Sequence, residues 1–202
     1  MVNGWFASLP APTRDQILTR ARRRVLEPRQ RLFSRGDKPD GIYGVLEGCV
    51  CLSGISGQSR KTVLDFYGPG VWFGEVTALD GLARTHDAEA YGSTVLLQVT
   101  PADLEELLAT DPALSRGLLR LEALRLRMLL TAIESYSIQS LEQRLADRLL
   151  MLTVSYGVTS SQGLKIGFHL PQEILAQLIG ATRQRVNQIL KAWESEGIIQ
   201  QQ

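Results

Sequence analysis

Six side chains near the C-terminus carry the groups that match nucleic-acid edges: Arg183, Gln184, Arg185, Asn187, Gln188 and Lys191. Arginine can bond guanine O6 and N7 together, and glutamine or asparagine can bond adenine N6 and N7. Their spacing places them on one side of a helix from Arg183 to about Glu194, whose other side carries Val186, Ile189, Leu190 and Trp193. A face that meets only water mixes Glu with Lys, whereas here acids enter only at Glu194 and Glu196. Thr182 is placed to cap this helix. Before it, Pro171 suits the first turn of a helix carrying Ile174, Leu175, Leu178 and Ile179, and Gly180 ends that helix in a left-handed conformation. The pattern predicts a helix-turn-helix, with the N-terminal half of the second helix directed into a major groove.

The rest of the chain must position that pair of helices. Its 202 residues allow one large domain or two small ones. With 44% apolar and 21% charged residues it is too apolar and too balanced for a disordered protein. Counts of 22 Lys+Arg against 21 Asp+Glu exclude holding nucleic acid by bulk charge, so any DNA contact depends on where the cations sit. At 6% aromatic, a platform for stacking single strands is not expected. No run approaches the ~18 apolar residues that span a bilayer, so no membrane partner is expected. The start, Met1 to Trp5, lacks a secretion signal's layout, and Cys49 and Cys51 make no disulfide framework. A cytoplasmic location is the simplest expectation.

The first ~30 residues read as helical, ending in Arg22-Arg23-Arg24, where cations complement the terminal carbonyls. From Leu32 to about Thr100 short apolar runs are split by glycines such as Gly36, Gly48, Gly57, Gly70 and Gly81, which predicts an antiparallel barrel or roll of about eight strands. Segments 42–46 and 93–99 are the clearest strands. A long helix then runs from Pro112 to about Ser135. Gly117, Leu121, Leu124, Met128, Thr131, Ser135 and Ile138 recur at alternating spacings of 4 and 3, a heptad seam that predicts pairing with a second copy. Leu118, Leu119, Leu126, Leu129, Leu130 and Ile133 lie off the seam, so both faces are candidates for burial. A helix from about Leu141 to Ser155, a polar loop over 156–163 and a short strand at 165–168 complete the lead-in. The fold class expected is α+β, with a sensor roll over 1–110, a dimerisation helix over 111–137 and a DNA-binding domain over 138–202.

Three blocks in this order resemble the CRP/FNR family of bacterial transcription regulators over essentially the whole chain. Arg35-Gly36-Asp37-Lys38-Pro39-Asp40-Gly41-Ile42-Tyr43 with Glu47-Gly48 is similar to the turn–strand signature of the cyclic-nucleotide-binding roll. Phe73-Gly74-Glu75-Val76 followed by Arg84-Thr85 looks like its phosphate-binding cassette. Leu178 through Leu190, with Glu196-Gly197-Ile198-Ile199, looks like the family's winged helix-turn-helix. The resemblance implies an N-terminal roll, a central dimerisation helix, and a ligand in the roll that brings two recognition helices into register on DNA.

It also implies roles. Gly74, Glu75, Arg84 and Thr85 become phosphate and ribose contacts. Arg84 would bind the charge with paired hydrogen bonds, and Glu75 would take the ribose hydroxyl and hold Arg84 in place. The alternative is a Glu75–Arg84 ion pair that merely supports the roll. In cyclic-AMP-responsive members a Thr-Ser pair on the long helix reaches the adenine, and that pair falls here on Leu129-Leu130, which cannot hydrogen-bond a purine edge. Thr131, one step on, is the nearest hydroxyl. Cyclic AMP is thereby disfavoured, while cyclic GMP, cyclic di-GMP, another small effector or none stay open. The family's wing follows the recognition helix, and the sequence leaves room after Gly197 for its first strand only.

No nucleophile–base set and no metal pattern is present, so no catalytic or metal residues are assigned. Neither His86 nor His169 is read as a metal or haem ligand, and both cysteines are expected in the core. The expectation is a homodimeric regulator of double-stranded DNA acting on a near-palindromic site, with RNA polymerase as a further partner. Arg183, Gln184 and Gln188, then Asn187, are the base readers. Arg185 and Lys191 are phosphate contacts, and Leu121, Leu124, Met128, Thr131 and Ser135 form the dimer seam. The rivals are a ligand-independent regulator of the same fold and a nucleotide-binding module that controls another protein.

Overall fold

A computed structural model describes residues 4–55, 61–160 and 163–201; Gly57 and Gln202 lie outside the described residues. The chain forms two compact units, one of residues 1–61 and 65–130, the other of 62–64 and 131–202.

Along the chain α1 (Trp5–Ser8) and α2 (Ala11–Arg20) precede eight strands. These are β1 (Arg22–Leu26), β2 (Arg31–Phe33), β3 (Ile42–Glu47), β4 (Val50–Ile55), β5 (Lys61–Tyr67), β6 (Trp72–Phe73), β7 (Asp87–Ala90) and β8 (Thr94–Val99), with the short α3 (Glu75–Asp80) between β6 and β7. They build two four-stranded sheets, ordered β1-β8-β3-β6 and β2-β7-β4-β5. The first sheet pairs antiparallel throughout, as do β2 and β4 with β7. Leu26, Phe33, Tyr43, Val45, Val50, Phe73 and Leu96 are among the residues packed between the sheets. Cys49 and Cys51 are both buried.

The basic run departs from expectation. Helix α2 stops at Arg20 because Ala21 is already extended, and Arg22–Arg24 belong to β1. Strand β1 is an edge strand: Leu26 faces the core while Arg22 and Arg23 are exposed. Exposed arginines on an open edge discourage another strand from pairing there.

Helices α4 (Pro101–Thr110) and α5 (Pro112–Ile138) follow. A second core joins Trp5, Leu9, Ile17, Trp72, Leu104, Leu107, Leu114, Leu118 and Leu121. Gly117 lies inside it, where a Cβ would press on the Leu9 side chain, and its carbonyl accepts from Trp5 Nε1 at 2.8 Å. The first two seam positions, Gly117 and Leu121, are therefore engaged with the roll and not available to a second copy. Further along, Leu124 is half-buried, and Met128, Leu129, Leu130 and Thr131 are exposed.

The second unit holds the end of α5, α6 (Leu141–Tyr156), a hairpin of β9 (Gly157–Ser160) and β10 (Gly163–Ile166), α7 (Gln172–Leu178) and α8 (Arg183–Ser195). Ser140 and Gln143 form a reciprocal capping box at the start of α6. The segment read as a polar loop is thus half strand, and the hairpin precedes the helix pair. Beyond α8 no strand occurs among the described residues. The chain there closes the helix instead: Gly197, at φ +74°, donates to Glu194 O and Ile198 donates to Trp193 O at 2.9 Å.

Candidate nucleic-acid interface and effector cassette

Helix α8 is anchored from one side. Val186 is fully buried, Ile189 and Leu190 nearly so, and Thr182 Oγ1 accepts from Arg185 N at 3.3 Å. Gly180, at φ +66°, makes the turn from α7. This leaves Arg183, Gln184, Arg185, Gln188 and Lys191 exposed on the other side, as their spacing predicted. Asn187 differs. It is half-buried, and its Nδ2 donates to Gln172 Oε1 at 2.7 Å, while Gln172 Nε2 donates to Gln201 Oε1 at 2.8 Å. Its amide links α8 to α7.

One neighbour was missed by sequence reasoning. Glu142, on the first turn of α6, lines a cleft with Arg185, Gln188, Trp193 and Glu196. Its own backbone N–H, the Ser140 hydroxyl and the Arg185 charge hold its carboxyl below the usual carboxylate range. Nothing in the local sequence around Glu142 points to α8, which lies some forty residues away along the chain.

The cassette residues meet in the first unit, but not as expected. Gly74 caps α3 at φ +85°, a conformation that suits glycine, and a Cβ there would lie 2.9 Å from Arg84 Nη1. Arg84 is 2% exposed and points inward. Its Nη1 donates to Gly74 O at 3.0 Å and Thr77 Oγ1 at 2.7 Å. Its Nη2 donates to Asp40 Oδ1 at 2.9 Å and Gly41 O at 2.7 Å. The guanidinium carbon stands 4.2 Å from the centroid of the Phe33 ring. Asp40 in turn accepts from Tyr43 OH at 2.5 Å and Gln98 Nε2 at 3.4 Å, and lies 3.6 Å from Arg24 Nη1. Burial, then the Asp40 carboxylate, push the Tyr43 phenol well above its ordinary value.

Glu75 does not hold Arg84. It is 3% exposed and paired with Arg125 of α5, whose Nη2 also donates to Trp72 O at 2.6 Å. Arg125 sits 3.7 Å from Glu122 as well. Thr85 is exposed, its hydroxyl 2.9 Å from His86 Nδ1. Gly74, Glu75, Arg84, Thr85 and Arg125 line a cavity of about 260 Å³, with Phe33, Leu52, Tyr67 and Phe73 among its apolar walls. Glu75 Oε2 is buried there without a hydrogen-bond partner. Thr131 is exposed and belongs to the second unit. Asp40 and Tyr43 stood within the turn–strand block, but only the folded geometry shows that they face Arg84.

Residues 23–111 match the family model for a cyclic nucleotide-binding domain, and residues 143–202 match that for a Crp-like helix-turn-helix domain. The chain is 31% identical over 196 residues to the cyclic AMP receptor protein of Thermus thermophilus, covering 96% of this chain and 87% of that one. It is 29% identical over 189 residues to the CRP-like cAMP-activated global transcriptional regulator of Mycobacterium tuberculosis, covering 93% and 84%. In fold it is similar to the c-di-GMP responsive global regulator CLP of Xanthomonas campestris, with a TM-score of 0.76 at 22% identity over 96% of each chain. No helix among the described residues is long and apolar enough to cross a membrane. With a cyclic-nucleotide-binding roll, a long helix and a helix-turn-helix in that order, this chain belongs to the CRP family of DNA-binding transcription regulators.

Proposed function

We propose that the chain acts in the cytoplasm as a homodimer, that two copies of α8 read a near-palindromic duplex, and that a small effector in the roll sets its DNA affinity. The observation that carries the DNA reading is the division of α8: a fully buried Val186 fixes the helix while Arg183, Gln184 and Gln188 stand exposed on its N-terminal half. Those three are the base readers in this reading, and Thr182, Arg185 and Lys191 position the protein on phosphates. Half-sites then lie about 34 Å apart, one helical turn. The part of α5 beyond Leu121, with Leu124 and Ser135 half-buried and Met128 and Thr131 exposed, is the seam for the second copy; Ile133, 57% exposed, extends its apolar surface. RNA polymerase is the partner through which such a regulator acts.

For the effector, the named activities of the relatives and the cavity beside Glu75 favour a cyclic nucleotide. A second reading, regulation without an effector, is favoured by one observation: all four Nη hydrogens of Arg84 already have acceptors. Selection of bound sites from random duplex DNA, with and without cyclic AMP, cyclic GMP and cyclic di-GMP, tests both. A two-fold-symmetric selected site supports the dimeric reader, and a site preference sharpened by one nucleotide supports the sensor. Equal selection with and without nucleotides supports regulation without an effector, and no preference for any duplex removes the DNA reading.

A further inference from the structure

We propose that Gln201 is a positioning residue for the recognition helix: it closes a one-way chain of side-chain amides that starts at Asn187 on α8, crosses to α7 and returns to Glu194 near the end of α8. This rests on the reading of α8 as the DNA-facing helix. Asn187 Nδ2 donates to Gln172 Oε1 at 2.7 Å, and Gln172 Nε2 donates to Gln201 Oε1 at 2.8 Å. Gln201 then donates twice to one carboxylate: its backbone N–H to Glu194 Oε1 at 2.9 Å and its Nε2 to Glu194 Oε2 at 3.0 Å. An ionised carboxylate only accepts, so Gln201 must turn its NH2 toward Glu194 and its carbonyl toward Gln172. Gln172 must then show its NH2 to Gln201 and its carbonyl to Asn187. The charge on Glu194 therefore sets the sense of every amide in the chain, and hydrogen bonds aligned in one sense strengthen one another.

The backbone delivers Gln201 to this place. Gly197, at φ +74°, reverses the chain after α8, and Ile198 N donates to Trp193 O at 2.9 Å. The residues that follow come back to Glu194, seven positions earlier. Burial of Val186 and Leu190 settles which side of α8 faces inward. Asn187 is the half-buried polar position on the same helix as the exposed readers Arg183, Gln184 and Gln188, and its tether to Gln172 holds that helix against α7. Groups that recognise a partner have to be held to about 0.5 Å, and apolar burial, which has no direction, does not secure this alone. A carboxylate on this helix cannot bind a phosphate; Glu194 is instead the end stop of the chain.

The test is anisotropy titration of the full chain on its preferred duplex. It compares wild type, Gln201→Glu, the exchanged pair Glu194→Gln with Gln201→Glu, Asn187→Ala, and Asn187→Ala with Gln201→Glu. Gln201→Glu sets two carboxylates against each other and breaks the chain; the expected result is roughly tenfold weaker binding, shared evenly by the positions of the site. The exchanged pair keeps the net charge and rebuilds the chain, because the amide now at position 194 donates to the carboxylate at position 201, which still accepts from Gln172. Its affinity is expected within about twofold of wild type. On the Asn187→Ala background Gln201→Glu is expected to change affinity by less than about twofold, because the effect travels through Asn187. A folded Gln201→Glu that binds like wild type overturns the proposal, as does an exchanged pair as weak as Gln201→Glu. Additive losses on the Asn187→Ala background overturn it too, since the segment after α8 then acts by stability or charge alone. If wild type prefers no duplex, the reading of α8 falls and the proposal with it. Should Gln201→Glu fail to fold, Gln201→Ala breaks the chain without adding charge and must weaken binding in the same direction.

Discussion

Arg125 of the long helix α5 is paired with Glu75, the first residue of the cassette helix α3, fifty positions earlier in the chain. Glu75 is nearly inaccessible, so this pair is a structural bond between α3 and the helix that leaves the roll. Removing one member of a buried pair leaves the other charge without compensation. Arg125→Ala is therefore expected to destabilise the first unit by about 3 kcal/mol at neutral pH, and Arg125→Leu with Glu75→Leu by much less. Urea unfolding of the three proteins measures both. Equal losses for the single and double variants would show that packing, not charge, holds this joint.

Glu122 shares that arginine. Burial, then repulsion from Glu75, raises its carboxyl above the ordinary range. The sign follows directly: the folded state holds the Glu122 proton more tightly than the unfolded chain. The group therefore opposes folding above its folded pKa, and the penalty is relieved as pH falls through that value. Glu122→Gln is expected to raise the melting temperature at pH 7 and to leave it almost unchanged at pH 4. A lower melting temperature at pH 7 would mean that its contact with Arg125 outweighs burial.

Much of this arrangement was legible in the sequence. Glycine spacing gave the roll, Thr182 and Gly180 gave the ends of the helix-turn-helix pair, and the alternation of Val186, Ile189 and Leu190 gave the buried side of α8. Other features were not, and three show why. Arg22–Arg24 read as a helix end because three arginines carry no strand signal, and only their register against β8 makes them an edge. The heptad count could not tell that Gly117 and Leu121 serve the roll, because the same spacing suits either partner. The partners of Arg84 and Glu75 were exchanged: Asp40 and Arg125 are distant in sequence, and local pattern is blind to them.

Of the three amides on α8, the proposed reader Gln188 and its neighbour Asn187 stand in different settings. Gln188 is exposed, whereas Asn187 is bonded to Gln172. Arg183→Ala and Gln188→Ala are each expected to cost roughly 1–3 kcal/mol on the preferred site and to relax one base position. Asn187→Ala should lower the melting temperature and weaken all sites alike. Competition binding on a panel of single-substituted duplexes distinguishes them. A position-specific loss from Asn187→Ala would return that residue to the readers.

Glu142 is expected to limit DNA affinity. It stands at the rim of α8, in one cleft with Arg185 and Gln188, and its carboxyl is held below the usual carboxylate range. A phosphate drawn to Arg185 must approach this carboxylate as well. Two like charges a few ångströms apart in water repel weakly, enough for a change of about fivefold in affinity. Glu142→Gln is accordingly expected to tighten binding to specific and random duplexes alike by about that factor at low salt, with the gain shrinking as salt rises. Anisotropy titrations at two salt concentrations measure it. If affinity is unchanged at low salt, phosphates pass this cleft by and Arg185 is not among their contacts.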